Sequence, residues 1–236
     1  MSKEDIDLRK YLQQNQNQLT WKEKIQITYK IVVALNAIHY EKAIHRDLHS
    51  GNILYSQFYQ DWYISDFGFC GPVDKPSTSI YGNLPYIAPE VIAGKNTTIA
   101  SDIYSIAMLM WEISSGQPPF NNYKHDYYLA MNIINGIRPR IVSGTPIKYK
   151  NLMKQCWDAD ISKRPNIYTI VDEIREIQRS YYQDIQNELP QQKHYNLENN
   201  VGNNFKANYI NSKLFTSKIH QFENLPEPKM QQKVQI

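Results

Sequence analysis

Apolar residues recur at three- and four-residue steps through Ile25, Tyr29, Val32, Leu35 and Ile38, which predicts a helix over residues 19–41 with one buried stripe. Thr20 stands at its start with Glu23 three positions on, so each side chain can satisfy a backbone N–H of the first turn. Before it, Leu8-Arg9-Lys10-Tyr11-Leu12 predicts a short helix, followed by a polar connector from Gln13 to Gln18. The pattern then changes. Ile53-Leu54-Tyr55 and Trp62-Tyr63-Ile64 are short β-branched and aromatic runs on either side of a mainly polar stretch, which predicts a hairpin. Residues 69–87 carry three prolines, two glycines and several hydroxyls, and predict an irregular loop.

The helical period returns in Ile103, Ile106, Ala107, Met110 and Ile113, which line one face until Gly116 and Pro118-Pro119 end the helix. Further helices are expected near 124–135, 146–156 and 166–180, with Pro146 and Pro165 where a helix start tolerates proline. From about residue 181 glutamine and asparagine dominate and the period fades. The expected division is a folded domain over 1–180 and a polar, largely disordered or loosely docked tail over 181–236. Leu214-Phe215, Ile219 and Phe222 form a weak apolar cluster within that tail.

Composition narrows the class. An apolar fraction of 42% over 236 residues supplies the core of a medium domain. The net charge of +3 is spread without a basic stripe, so nothing points to nucleic acid. The N-terminus lacks the apolar run of a signal peptide. The longest apolar region, Ile103 to Ile113, is broken by Tyr104, Ser105 and Glu112 and falls far short of the ~20 residues that span a bilayer. Cys70 and Cys156 are too few for a disulfide framework and read as free thiols. These features predict a soluble cytoplasmic protein with no membrane association, and they leave its oligomeric state open.

The candidate chemistry lies in His45-Arg46-Asp47-Leu48-His49-Ser50-Gly51-Asn52 and in Asp66-Phe67-Gly68. A hairpin brings its open ends together, with facing residues roughly 5 Å apart. Asn52, just before the first strand, and Asp66, soon after the second, should therefore converge. An amide oxygen and a carboxylate suit a hard cation such as Mg²⁺. Asp47 enters the first strand near the same point and can accept a proton from an attacking hydroxyl. Zinc on His45 and His49 would require both on one helix face, against which Ser50-Gly51-Asn52 and the following strand argue. His45 is instead expected to be a packed core histidine, and Phe67 a packing residue.

With Ala88-Pro89-Glu90, Ser101-Asp102-Ile103-Tyr104, Cys156-Trp157-Asp158-Ala159-Asp160 and Lys163-Arg164-Pro165, these motifs resemble the protein kinase family, in its tyrosine-kinase-like, serine/threonine branch. The resemblance implies a mainly α fold with short β-hairpins, the kinase C-terminal lobe, whose buried axis is the helix after Ser101. It implies ATP and Mg²⁺, a protein substrate or docking partner, and phosphoryl transfer to serine or threonine hydroxyls before tyrosine. By the same resemblance Asp47 is the catalytic base, Asn52 and Asp66 hold Mg²⁺, and Leu54 lies beneath the adenine. Arg46 meets an activation-segment phosphate, for which Ser77, Thr78, Ser79 and Tyr81 are candidate sites. Asp102 braces the catalytic loop and Arg164 pairs with Glu90.

The chain departs from the family pattern at His49 and Gly51, which stand where the family carries a lysine or an arginine. His49 is a candidate donor to the γ-phosphate. A Gly-rich loop, a Val-Ala-Ile-Lys lysine and its helix glutamate do not precede Leu8. The expectation is a C-terminal lobe with the N-terminal lobe missing. The alternative to an enzyme is a truncated or pseudokinase-like binding module.

Overall fold

The computed structural model describes residues 5–15, 18–74, 80–188, 216–222 and 225–228. Ile6–Asp7 (β1) leads directly into Leu8–Gln14 (α1), whose first turn is capped by the Asp7 carboxylate accepting the Lys10 N–H at 2.9 Å. Trp21–Tyr40 (α2) starts at the reciprocal Thr20–Glu23 cap. Its buried residues are Ile25, Ile27, Thr28, Ile31, Val32, Leu35 and His39. That face is wider than the expected stripe, and Tyr29 and Ile38 are only half-buried. The cause is packing: α2 is covered by two helices and a strand, described next, rather than lying on one neighbour.

Ala43–Ile44 (β2) is followed by Ile53–Ser56 (β3) and Asp61–Ile64 (β4), which form the expected antiparallel hairpin with Ile53 opposite Ile64. β1 adds to its free edge, Asp7 opposite Leu54. Where an irregular loop is expected over 69–87, the described residues include two short strands. Gly71–Pro72 (β5) pairs with β2, and Ile80–Gly82 (β6) pairs with Lys218–His220 (β7). Strands this short show no alternation, so tertiary contact alone defines them.

Pro89–Ile92 (α3), Ile99–Ser115 (α4), Tyr127–Ile134 (α5), Ile147–Cys156 (α6) and Ile167–Glu188 (α7) complete the helices. α2 packs on α7, α4 and β4, and α4 also packs on α6. Burial along α4 is unbroken from Ser101 to Ser114, so it is covered on every side rather than on one face. Its serines tolerate this by donating hydrogen bonds, as Ser105 does to the Tyr86 carbonyl at 2.8 Å. Gly116 ends the helix at φ 71°, a left-handed position that favours glycine.

α7 runs on to residue 188, past the boundary expected at 180. Ile219 is exposed, Phe222 packs against the core, and Leu214 and Phe215 lie outside the described residues. Among the described residues no helix is long and apolar enough to cross a membrane. Cys70 and Cys156 are free thiols, and burial pushes the Cys156 thiol far up, which makes it unreactive.

Candidate active site

The loop that carries Asp47 hangs from one carboxylate of α4. Asp102, fully buried, accepts the His45 backbone N–H at 2.8 Å and bonds the His39 ring at 2.9 Å through one oxygen. Its other oxygen accepts the Arg46 N–H at 3.1 Å. Arg46 sits at φ 70°, a conformation that costs a non-glycine residue on the order of 1–3 kcal/mol. The bonds to Asp102 hold that strain. The buried His45 ring accepts the Asp47 N–H at Nδ1 (3.4 Å) and donates from Nε2 to the Ser65 carbonyl (3.0 Å). Both ring nitrogens are thus engaged by the protein itself.

The open ends of the hairpin meet. The Asn52 carbonyl accepts the Ser65 N–H at 2.8 Å, which brings the neighbouring Asp66 beside Asn52. The Asn52 amide nitrogen donates to the Asp47 carbonyl at 2.9 Å, so the amide oxygen is the atom left for a cation. Asp66 is exposed, in the left-handed region at φ 60°, with one carboxylate oxygen accepting the Gly68 N–H at 3.3 Å. An amide oxygen and a solvent-facing carboxylate fit Mg²⁺, which takes few protein ligands and completes its shell with water and phosphate. The phenol of Tyr81 is pushed up by burial and then by the charges of Asp47 and Asp66, so both acids act on one ring.

Asp47 is buried, and its carboxylate accepts the Ser217 hydroxyl at 2.7 Å. The same hydroxyl lies 2.8 Å from His49 Nε2. His49 Nδ1 accepts the Gly51 N–H at 3.0 Å, so in the neutral ring Nε2 carries the proton and donates to Ser217. His49 therefore faces the serine hydroxyl. Gly51 permits this fold-back, because a Cβ there would stand 2.8 Å from the His49 ring.

Burial pushes the Asp47 carboxyl up, but His49, the Ser217 hydroxyl and His45 outweigh it and hold the group below the usual carboxylate range. The sign follows. The unfolded chain binds the proton at higher pH, so this group stabilises the fold above about pH 4 and loses that contribution as pH falls through its lowered value. Acid titration of stability should therefore fall more steeply for the native chain than for Asp47→Asn below about pH 4. Parallel curves would contradict it.

Glu90 and Arg164 form a buried fork, with both N···O distances 2.7 Å. Ser101 adds a hydroxyl to Glu90 at 3.1 Å, and Arg164 also donates to the carbonyls of Asp158 (2.8 Å) and Ala100 (2.9 Å). Arg46 donates to the Pro72 carbonyl at 3.2 Å, beside Gly71. Leu54 is half-buried on β3, opposite Tyr63. Tyr81 stacks on Phe69 at 3.5 Å between centroids. Ser77, Thr78 and Ser79 lie outside the described residues. Phe67, expected to pack, is 54% exposed and among the described residues meets the ring of His45 edge-on. It sits on a short turn at the rim, where neighbouring elements cover little of the ring.

Sequence reasoning missed three groups. Glu112, on α4, accepts the Tyr86 hydroxyl at 2.5 Å with Arg9 3.9 Å away, and Tyr86 in turn meets Ser50 at 3.3 Å. Burial outweighs these partners and holds the Glu112 carboxyl above its ordinary range. A lone acid in an apolar helix was its signal. His39 had the signal of an imidazole on an apolar face. Ser217 had none, since it lies among polar residues without a motif.

A helical lobe with short antiparallel strands, presenting an acid, an amide and a second acid around one hairpin, has the form of a protein-kinase-like phosphotransfer lobe. A family profile for protein tyrosine and serine/threonine kinases matches residues 3–174, and the chain belongs to that family. It is 34% identical over 154 residues to a putative serine/threonine-protein kinase/receptor of Acanthamoeba polyphaga mimivirus, covering 64% of this chain and 9% of that protein. A probable LIM domain-containing serine/threonine-protein kinase of Dictyostelium discoideum is 30% identical, covering 73% of this chain and 27% of its own length. Mitogen-activated protein kinase kinase kinase 7 of Drosophila melanogaster is 31% identical, covering 62% and 22%. The chain thus spans less than a third of each of these relatives.

Proposed function

We propose that this chain performs ATP-dependent phosphoryl transfer to serine or threonine hydroxyls of proteins, within the cytoplasm. One observation carries the reading: a buried, ionised carboxylate, Asp47, accepts a hydrogen bond from a serine hydroxyl at 2.7 Å. That is the geometry and protonation state required of a general base toward an attacking alcohol. Two of the relatives are named as serine/threonine-protein kinases, which supports serine or threonine over tyrosine.

In this reading Asp47 takes the proton of the acceptor hydroxyl and His49 orients its oxygen. Asn52 and Asp66 hold Mg²⁺, and Leu54 forms part of the floor for the adenine. Mg·ATP supplies the transferable phosphoryl group, and the cation offsets the charge that builds on it. Arg46 receives an activation-segment phosphate, with Ser77, Thr78, Ser79 and Tyr81 as the candidate sites. Asp102, and the pair Glu90 and Arg164, position the loop and the segment without touching reactants. The working unit is residues 1–180, and the extension 181–236 brings a hydroxyl to it.

A second reading is a pseudokinase-like binding module, favoured by the segment 216–222 lying across the acceptor position. Mg·ATP separates the two. Specific binding at a hundredfold excess over Kd adds about 2.7 kcal/mol to stability, a rise of several degrees in Tm. The kinase reading expects that rise in thermal unfolding and its loss in Asp66→Ala. An unmoved Tm favours the module.

A further inference from the structure

The strand β7 belongs to a segment that no kinase role so far explains. It pairs antiparallel with β6, with Gly82 opposite Lys218, Tyr81 opposite Ile219 and Ile80 opposite His220. Gly82 sits at φ 130°, and a Cβ there would stand 3.2 Å from the Asp47 carboxylate. The glycine thus lets β6, and the strand laid on it, run alongside the base. Buried His220 donates from Nε2 to the Gly82 carbonyl at 3.0 Å and stacks on Phe222. Phe222 meets Tyr127, and Lys218 reaches the His125 carbonyl at 3.3 Å. These contacts set the register that delivers the residue before Lys218, which is Ser217, to Asp47.

The hydroxyl of Ser217 is oriented as a nucleophile. Its O–H points at Asp47, and one oxygen lone pair accepts from His49 Nε2. The Tyr81 phenol also hydrogen-bonds Ser217, so attack on an electrophile requires that phenol to release the second lone pair of the hydroxyl. We infer that Ser217 is an intramolecular phosphoacceptor of this site, with segment 216–222 bound as an extended substrate strand on β6. The inference rests on the kinase reading above. The acceptor class it implies is a serine in an extended strand, with a buried side chain three positions beyond it.

The step balances with Mg·ATP as co-reactant. The Ser217 oxygen bonds to the terminal phosphorus, and the bond from that phosphorus to its bridging oxygen breaks. The serine proton passes to Asp47 and then to solvent, leaving phosphoserine and ADP. The product places a phosphate against the Asp47 carboxylate, and like charges repel. Phosphorylation therefore releases the segment and opens the acceptor position to other chains.

Two measurements on the full chain test this. The first uses no nucleotide: hydrogen–deuterium exchange of residues 80–82. Exchange should be slow in the native chain and at least tenfold faster in Ser217→Glu and in the double variant His220→Ala/Phe222→Ala. Equal exchange in all three overturns the docked strand. The second maps phosphate by mass spectrometry after incubation with Mg·ATP, with a serine peptide added as an independent acceptor. Ser217 should be labelled at a first-order rate independent of protein concentration, and labelling should vanish in Asp47→Asn. A labelled peptide with unlabelled Ser217, or a Ser217 rate that scales with protein concentration, overturns the inference and leaves the kinase reading standing. No transfer to either acceptor overturns the kinase reading and the acceptor role with it.

Discussion

Replacing Asp47 by asparagine lowers phosphoryl transfer by about 10²–10⁴-fold, the range that a positioned general base contributes. The substitution keeps the shape and one hydrogen-bond acceptor for the Ser217 hydroxyl, and it removes the basicity. The loop itself is held elsewhere, through Asp102 on the His45 and Arg46 N–H groups and through the Asn52 amide on the Asp47 carbonyl. The variant should therefore fold at neutral pH with its hairpin register intact. Transfer of labelled phosphate, measured beside the urea midpoint, separates lost chemistry from lost structure. A fall in rate matched by a collapse of the midpoint would contradict the assignment of Asp47 as the base.

Glu90→Gln destabilises the fold by about 3–5 kcal/mol, because Arg164 keeps its charge in a buried site without its partner. That is a large share of the roughly 5–15 kcal/mol that holds a domain together. Both side chains are essentially excluded from solvent, so water cannot replace the lost carboxylate. Arg164→Met is similarly costly, since it strands Glu90 and leaves the carbonyls of Ala100 and Asp158 without their donor. The double variant should be less damaging than the sum of the singles, as expected of two groups whose main role is to satisfy each other. Additive losses in urea unfolding would show that the pair is not coupled.

The parts of this molecule that were legible in its sequence share a physical basis. The β3–β4 hairpin was visible because aromatic and β-branched residues filled both strands, and its closure implied that Asn52 and Asp66 meet. The cap of α2 was visible because Thr20 and Glu23 act within one turn. What escaped has its cause in tertiary contact. β1, β5, β6 and β7 are two or three residues long and carry no alternation. The periodicity of α4 marked one apolar face, yet Ser101, Ser105 and Glu112 are buried too, each through a hydrogen bond to another segment. Ser217 lies 170 positions from Asp47 with no local pattern, so only the folded chain could place it. The resemblance implies for His49 a hydrogen bond to phosphate, because the family places a cation near there. The bond from Gly51 to its Nδ1 turns the other nitrogen toward the Ser217 hydroxyl, a contact no local pattern announces.

The most direct test of the account is transfer of the labelled terminal phosphate of Mg·ATP to a serine peptide, measured side by side for the native chain, Asp47→Asn and Asp66→Asn. Transfer is expected from the native protein and is lost in both variants, while Asp47→Asn lowers the urea midpoint at neutral pH only by the modest contribution of its carboxylate and does not unfold the chain. Equal incorporation by all three would contradict the claim that Asp47 and Asp66 form one phosphoryl-transfer site.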